Sequence, residues 1–545
     1  GLVSRESDGQ LTVEIINRPI AGSETTDDPF VFNPQIEVEG ELEPYTFDLV
    51  PEDYRYDQQV WGKGRNCSIE TGVGSPPTIV STTAVPTEPV YEFEFNDSYE
   101  TDFDDLTGSV AIPTLEAIAE GMEAYYEDWT TTRRSEIIDD LNLTPEEAEE
   151  LDAAAEQFHA EIDRFKHGIE ILSRDERSLK AFQAMNQVNS DQHEFPGWRL
   201  FQLVFVTCNL SGVVQREHDW AETEYDEMAD VLWFPTGGGK TEAYLGLILF
   251  NLFYDRLRGK NEGVTAWIRF PLRLLSRQQK DRFIESLLYA EQIRRDPAWF
   301  DGTGAEFSLG FYVGGQDTPN AIGTDRDTLR EAFQQSQEKL ERECKVLDEC
   351  PLCDSEITIE YDVEKNSVFH HCSGDDCIGQ IPLYVVDRDI YRYIPSILLG
   401  SLDKISVMGM QPRFANLLGN TTTYCPVHGY GYSGTCSEKD LFDCEDRIED
   451  ASTEFYDPVP TLHLIDEVHL LNEELGTFAS HYETTYLSLC EQIHGKTPKI
   501  VTSTATISEY KRQIRNLFQR DAVRFPNDGP VQGETFYGHL TETVE

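Results

Sequence analysis

Asp230-Val231-Leu232-Trp233-Phe234-Pro235-Thr236-Gly237-Gly238-Gly239-Lys240-Thr241-Glu242-Ala243 reads as a buried strand, a glycine loop and the opening of a helix. Three consecutive glycines remove every Cβ from the loop, so successive backbone N–H groups can turn inward and surround a phosphate chain at a helix N-terminus. Lys240 then neutralises the β- and γ-phosphates, and the Thr241 hydroxyl is placed to ligate a Mg²⁺ ion that bridges them. Thr236, Gly237, Gly238, Gly239, Lys240, Thr241 and Glu242 are the expected ATP contacts. An ordinary glycine-rich turn would explain an isolated Gly-Lys-Thr. It explains less well a loop with an apolar strand before it and an apolar helix, Ala243 to Tyr254, behind it.

The partner that ATP hydrolysis requires lies far downstream, in Leu462-His463-Leu464-Ile465-Asp466-Glu467-Val468-His469. An apolar strand ending in adjacent carboxylates suits Asp466 to Mg²⁺ and Glu467 to orienting and deprotonating the attacking water. A third short strand, Ile500 to Thr504, ends in hydroxyls, and Thr504 and Thr506 are placed to sense the γ-phosphate. Upstream, Phe201-Gln202 precedes Lys240 by about 38 residues. An aromatic ring there can stack on adenine, and a carboxamide can pair with a donor and an acceptor on the base edge. The competing assignment makes them core and surface positions of a helix. Between these elements, Thr265 to Gln279 runs from a strand into a helix. Arg273, Ser276, Arg277 and Gln278 near its start can hold nucleic-acid phosphates through side chains and backbone N–H groups together.

Eleven cysteines, most of them between Cys344 and Cys444, are too few and too uneven for a disulfide framework. Cys350-Pro351-Leu352-Cys353, followed after a hairpin-length segment by Cys372 and Cys377, supplies the four thiolates of a tetrahedral Zn²⁺ site on two tight turns. Cys425, His428, Cys436 and Cys444 have ligand types that can close a second zinc site. Their wider spacing leaves separate burial as an equal alternative.

Formal charge is extreme, with 44 Lys and Arg against 100 Asp and Glu, a net −56. The acids are spread along the whole chain, which suits a solvated surface in a cytoplasm of very high salt, where self-repulsion is screened. In such a medium long-range phosphate attraction is weak, so a nucleic-acid site must use short, shaped contacts. The first residues from Gly1 show no basic, apolar leader and no apolar run reaches the ~20 residues of a membrane span, so a cytoplasmic protein without a membrane partner is expected. Residues 1–110, rich in Pro, Gly, Thr and Val, predict a β-rich domain, and 111–194 predict a helical one.

The order of these stretches resembles that of the superfamily 2 helicases. Thr236 to Thr241 matches their motif I, Arg269 to Gln279 motif Ia, Ser401-Leu402-Asp403-Lys404 motif Ib, Asp466 to His469 motif II and Thr504 to Thr506 motif III, with Phe201-Gln202 as a Q motif. Within the superfamily, Phe234 to Gly246, Trp198 to Gln202 and Arg524 to Pro526 are most similar to the DrmA helicases of DISARM anti-phage systems. The similarity covers roughly residues 110–545. It implies an α/β fold, a RecA-like P-loop NTPase domain on a parallel sheet, formed by 195–335 and 391–545 and interrupted by a zinc-ribbon insertion at 336–390. It also implies ATP, Mg²⁺ and Zn²⁺ as cofactors, Lys240, Asp466 and Glu467 as the catalytic set, and Lys404 as a further nucleic-acid contact. DNA is favoured over RNA as partner, together with proteins of a defence complex. Three functions remain in competition: a translocating DNA helicase, a non-translocating ATP-switched adaptor, and an RNA helicase. The chain stops about forty residues after motif III. A second RecA-like domain is therefore expected to be missing, leaving an N-terminal part that hydrolyses ATP poorly by itself.

Overall fold

The computed structural model describes the chain except residues 1, 8–9, 17–33, 48–52, 57, 73–75, 84–90, 235–237, 315–317, 323–328, 376, 446–447, 452–454, 472, 505–508 and 543–545. Thr236, Gly237 and Thr506 therefore lie outside the described residues. The chain divides into two compact units, one of Gly1–Glu94, Glu127–Glu156 and Asp528–Glu545, the other of Phe95–Tyr126 and Gln157–Asn527.

The larger unit is built on eight parallel strands. In chain order these are β1 (Ala229–Trp233), β2 (Ala266–Phe270), β3 (Leu309–Tyr312), β4 (Leu383–Tyr384), β5 (Ile397–Ser401), β6 (Leu462–Ile465), β7 (Lys499–Thr504) and β8 (Ala522–Phe525). Across the sheet they run β4-β3-β5-β2-β6-β7-β1-β8, each neighbour parallel to the next. Strands buried on both faces need apolar side chains at nearly every position. Val231, Leu232, Ile268, Leu398, Leu399, Leu464 and Val501 meet that need and are fully buried. Helices α1 (Glu176–Gln192) and α2 (Leu200–Cys208) precede β1, and α3 (Lys240–Arg258), α4 (Arg273–Arg295), α5 (Asp387–Tyr393), α6 (Glu473–His494) and α7 (Tyr510–Phe518) lie between strands. From Ala243 to Arg256 every residue of α3 is buried, which accounts for its long apolar run as a core helix. Among the described residues, no helix is long and apolar enough to cross a membrane.

Two insertions leave the sheet. Between β3 and β4 an antiparallel hairpin, Ile357–Asp362 with Ser367–Cys372, carries a third short strand, Gln380–Ile381. Between β5 and β6 lies a small sheet of Thr423–Cys425, Gly429–Gly431 and Glu449–Asp450.

The smaller unit contains short antiparallel pairs, Leu2–Ser7 with Gln10–Ile15 and Glu37–Glu39 with Ile79–Thr83 among them. Its strand Tyr91–Phe95 forms a sheet with Glu534–Thr535 and Gly538–Glu542. Residues 528–545, grouped in the sequence reading with the nucleotide domain, thus belong with the N-terminal strands. Tyr54 donates its hydroxyl to the Pro530 carbonyl at 2.9 Å and Arg133 pairs with Glu534 at 2.6 Å, fixing that tail to its own unit. Likewise 95–126 joins the larger unit and 127–156 the smaller, so the units do not follow the expected breaks at 110 and 194.

One buried charge anchors the strand that delivers the glycine loop. Asp230 on β1 has no exposed surface and is held by Arg164 at 2.7 Å and Lys499 at 2.6 Å. Burial alone would raise its pKa, but the two cations outweigh it and hold the carboxyl below its ordinary value. Its stabilising contribution is therefore full above about pH 4, the unfolded value, and is lost as pH falls through the lower folded value. Asp230→Ala is expected to destabilise the unit by about 3–5 kcal/mol, since two buried cations lose their counter-charge. Denaturant unfolding at pH 7 measures it, and a loss below about 1 kcal/mol would contradict the assignment.

Candidate nucleotide site and cysteine clusters

Because the sheet is parallel, the carboxyl ends of β1, β7 and β6 lie side by side at one edge, the usual place for a ligand in an open α/β sheet. The glycine loop leaves β1, Thr504 ends β7, and Asp466 follows β6 directly. Gly239 has φ of +91°, and a Cβ there would come within 2.4 Å of Gln202 Nε2, so only glycine fits. Lys240 opens α3 and donates to the Phe234 carbonyl at 2.7 Å. Burial lowers its pKa, while Glu467 and Asp466 act in the opposite direction.

Asp466 is 7% exposed and both of its oxygens are engaged. Oδ1 accepts the Glu467 N–H at 2.9 Å, and Oδ2 accepts the Tyr244 hydroxyl at 3.0 Å. The same phenol oxygen lies 3.3 Å from Thr241 Oγ1. Tyr244 thus bridges the two residues expected to hold Mg²⁺, and the sequence reading missed it. Its signal was the spacing, since a residue three after Thr241 on a helix shares its face. Thr241 and Asp466 offer the hard oxygen donors that Mg²⁺ takes. Glu467 has φ of +52°. Burial and the neighbouring Asp466 push its pKa up, against His469 and Lys240. His469 reaches both Glu467, at 3.3 Å, and Thr504 Oγ1, at 3.0 Å, linking the acid pair to the end of β7. The structure therefore brings Lys240, Thr241, Asp466, Glu467 and Thr504 to one edge. Glu242 is held by Arg282 of α4 at 2.6 Å.

The adenine assignment needs correction. Phe201 has no exposed surface, and its ring stacks on Phe234 at 4.0 Å with planes 9° apart. Gln202 is buried too, and both ends of its amide serve the backbone. Oε1 accepts the Arg199 N–H and Nε2 donates to the Gly239 carbonyl, each at 2.8 Å. These two residues brace the glycine loop from behind; the ring presents no open face to a base.

The proposed nucleic-acid residues separate in the same way. Arg277 and Gln278 are exposed on the first turns of α4, which starts at Arg273. Ser276 is buried and donates to the Gly400 carbonyl at 3.2 Å, tying α4 to β5. Lys404 is buried against Asp387. In this arrangement neither Ser276 nor Lys404 reaches a surface strand. Their positions resembled contacts only because sequence spacing carries no burial.

Both cysteine groups converge. Cys350, Cys353, Cys372 and Cys377 lie with ligand atoms within 4.8 Å of one another, as do Cys425, His428, Cys436 and Cys444. In the first, Cys350 and Cys377 sulfurs are 3.6 Å apart and Cys353 and Cys372 sulfurs 3.4 Å apart. Each set can hold a metal ion, and soft sulfur donors with tetrahedral spacing fit zinc chemistry.

No protein-family model matches the chain. Over 431 residues, 69% of this chain and 37% of the relative, it is 31% identical to the DISARM protein DrmA of Bacillus paralicheniformis. Over that stretch the chain is similar to DrmA. It spans about 37% of the length of DrmA. Among solved structures, the DUF1998 helicase MrfA bound to DNA is similar at a TM-score of 0.32 and 13% identity, over 63% of this chain and 27% of that one. Mss116p bound to single-stranded RNA and AMP-PNP is similar at 0.33 and 13%, over 65% of this chain and 44% of that one.

If Gln202 braces the loop, Gln202→Glu, which keeps the acceptor for Arg199 but cannot donate to Gly239, should weaken binding of a fluorescent ATP analogue roughly fivefold to tenfold, about one lost hydrogen bond. Equal affinity in the variant would remove the bracing role.

Proposed function

We propose that this chain carries the ATP-binding lobe of a nucleic-acid helicase or translocase in anti-phage defence, with DNA as its partner. The observation that carries the reading is the convergence of Lys240, Thr241, Asp466, Glu467 and Thr504 on one sheet edge. In this reading ATP supplies the phosphoanhydride to be cleaved, and Mg²⁺ supplies charge neutralisation at its phosphates. The Gly238–Thr241 backbone and the Lys240 ammonium bind the phosphates. Thr241 and Asp466, already joined through Tyr244, hold the metal. Glu467 orients the attacking water and takes its proton, which it can do only when ionised. His469 links Glu467 to Thr504, a route by which the state of the nucleotide can reach the rest of the lobe.

Arg277 and Gln278 at the exposed start of α4 are the proposed nucleic-acid contacts. DNA is preferred to RNA because the resemblance is to a helicase of anti-phage defence. Proteins of that defence system are the proposed partners. The Cys350, Cys353, Cys372 and Cys377 cluster is read as a structural zinc ribbon, because four protein ligands close the tetrahedron and leave no position for a substrate.

Lys240→Ala should lower ATP affinity roughly tenfold to a hundredfold, the worth of a charge-assisted contact. Glu467→Gln should keep that affinity while lowering nucleic-acid-stimulated phosphate release by about 10²–10⁴-fold. Unchanged phosphate release in the second variant would sink the enzyme reading. Stimulation by RNA and not by DNA would move the reading to an RNA helicase, and stimulation without strand displacement or translocation to an adaptor.

A further inference from the structure

The three sulfurs of Cys425, Cys436 and Cys444 lie 3.6, 3.4 and 3.4 Å from a single atom, His428 Nδ1. One ring nitrogen can make one hydrogen bond, so three thiols cannot all be satisfied there. A shared metal ion does satisfy them. With Zn–S of about 2.3 Å and Zn–N of about 2.0–2.1 Å, a tetrahedron separates sulfur from nitrogen by roughly 3.5–3.6 Å. Cys425, His428, Cys436 and Cys444 are all buried.

The far side of the imidazole fixes its tautomer. His428 Nε2 is 2.9 Å from the Glu364 carbonyl, which can only accept, so Nε2 carries the proton and Nδ1 offers its lone pair to the sulfurs. A ligating histidine is commonly oriented by such a bond on its other nitrogen. Glu364, however, belongs to a distant part of the chain. It sits in the turn between Ile357–Asp362 and Ser367–Cys372, at the end of the hairpin remote from Cys350 and Cys353. Asn366 in the same turn donates to Glu438 Oε2 at 2.9 Å, and the Glu438 N–H in turn approaches Cys436 Sγ at 3.4 Å. Arg392 of α5 donates to the Asn366 carbonyl at 2.9 Å, and Arg388 pairs with Glu438 at 2.5 Å.

We propose that Cys425, His428, Cys436 and Cys444 form a second zinc centre whose role is to clasp the turn of the ribbon hairpin, through the His428 to Glu364 bond, onto the segment between β5 and β6. The hairpin is then fixed at both ends, at its base by the first cluster and at its turn by the second. This inference stands whether or not the chain hydrolyses ATP.

The test combines metal counting with amide exchange on the whole chain purified under reducing conditions. Unmodified protein should hold two zinc equivalents, and Cys436→Ser with Cys444→Ser should hold one and exchange faster around residues 361–369. The decisive variant is His428→Cys. Four cysteines still close a zinc site, so two equivalents should remain, yet the turn loses its clasp and its amides should exchange roughly threefold to tenfold faster. A single zinc in the unmodified chain overturns the site. Exchange at the turn equal to that of the unmodified chain in His428→Cys overturns the clasp.

Discussion

Parallel pairing of β6, β7 and β1 forces three carboxyl ends onto one edge, and the proposed nucleotide site depends on that alignment. Slipping a parallel strand by one residue would turn its whole pattern over and carry the loop after it away from its neighbours. Register is held by what is buried along the strands. Asp230 with Arg164 and Lys499 pins β1 beside β7, and Arg269 on β2 meets Glu483 of α6 at 2.7 Å beneath β6. From those fixed strands the site follows: Tyr244 couples the start of α3 to Asp466, and His469 couples Glu467 to Thr504.

These anchors also explain how an acid-rich chain distributes its few cations. Arg216 and Arg258 both pair with Asp457, Arg294 with Glu291 and Arg392 with Asp389, all largely or wholly buried. Lys260 is fully buried too, its pKa pushed down to about 8 by loss of solvent against the pull of Asp255 and Asp457. Buried charges require partners, so a good part of the 44 basic side chains is committed to the interior. What faces water is more acidic than composition alone suggests. The proposed nucleic-acid contact at the exposed Arg277 and Gln278, at one helix start, is accordingly small and local.

The parts of this molecule legible in its sequence are those whose chemistry is written in adjacent residues. The glycine loop, the Asp466-Glu467 pair and the Cys350 and Cys353 knuckle need only short spacings and an apolar strand or turn beside them. Tertiary placement was invisible. Phe201-Gln202 has the residue types of a base-reading pair, but the aromatic neighbours Phe234 and Phe95 enclose the ring and the backbone takes both amide ends. Ser276 and Lys404 lie in stretches that look like contacts, yet they are turned into the core. The pairing of 538–542 with 91–95 joins segments too remote for any local pattern to show. His428 could be suspected as a ligand, while its bond to Glu364 required the hairpin to be seen folded back.

The most direct measurement is a structure of the chain with Mg²⁺ and a non-hydrolysable ATP analogue. The phosphates should lie on the Gly238–Thr241 backbone, with Lys240 released from the Phe234 carbonyl and turned onto them, and the metal between Thr241 and Asp466. An analogue bound elsewhere, or bound with Lys240 still on Phe234, would contradict the assignment of this edge as the ATP site.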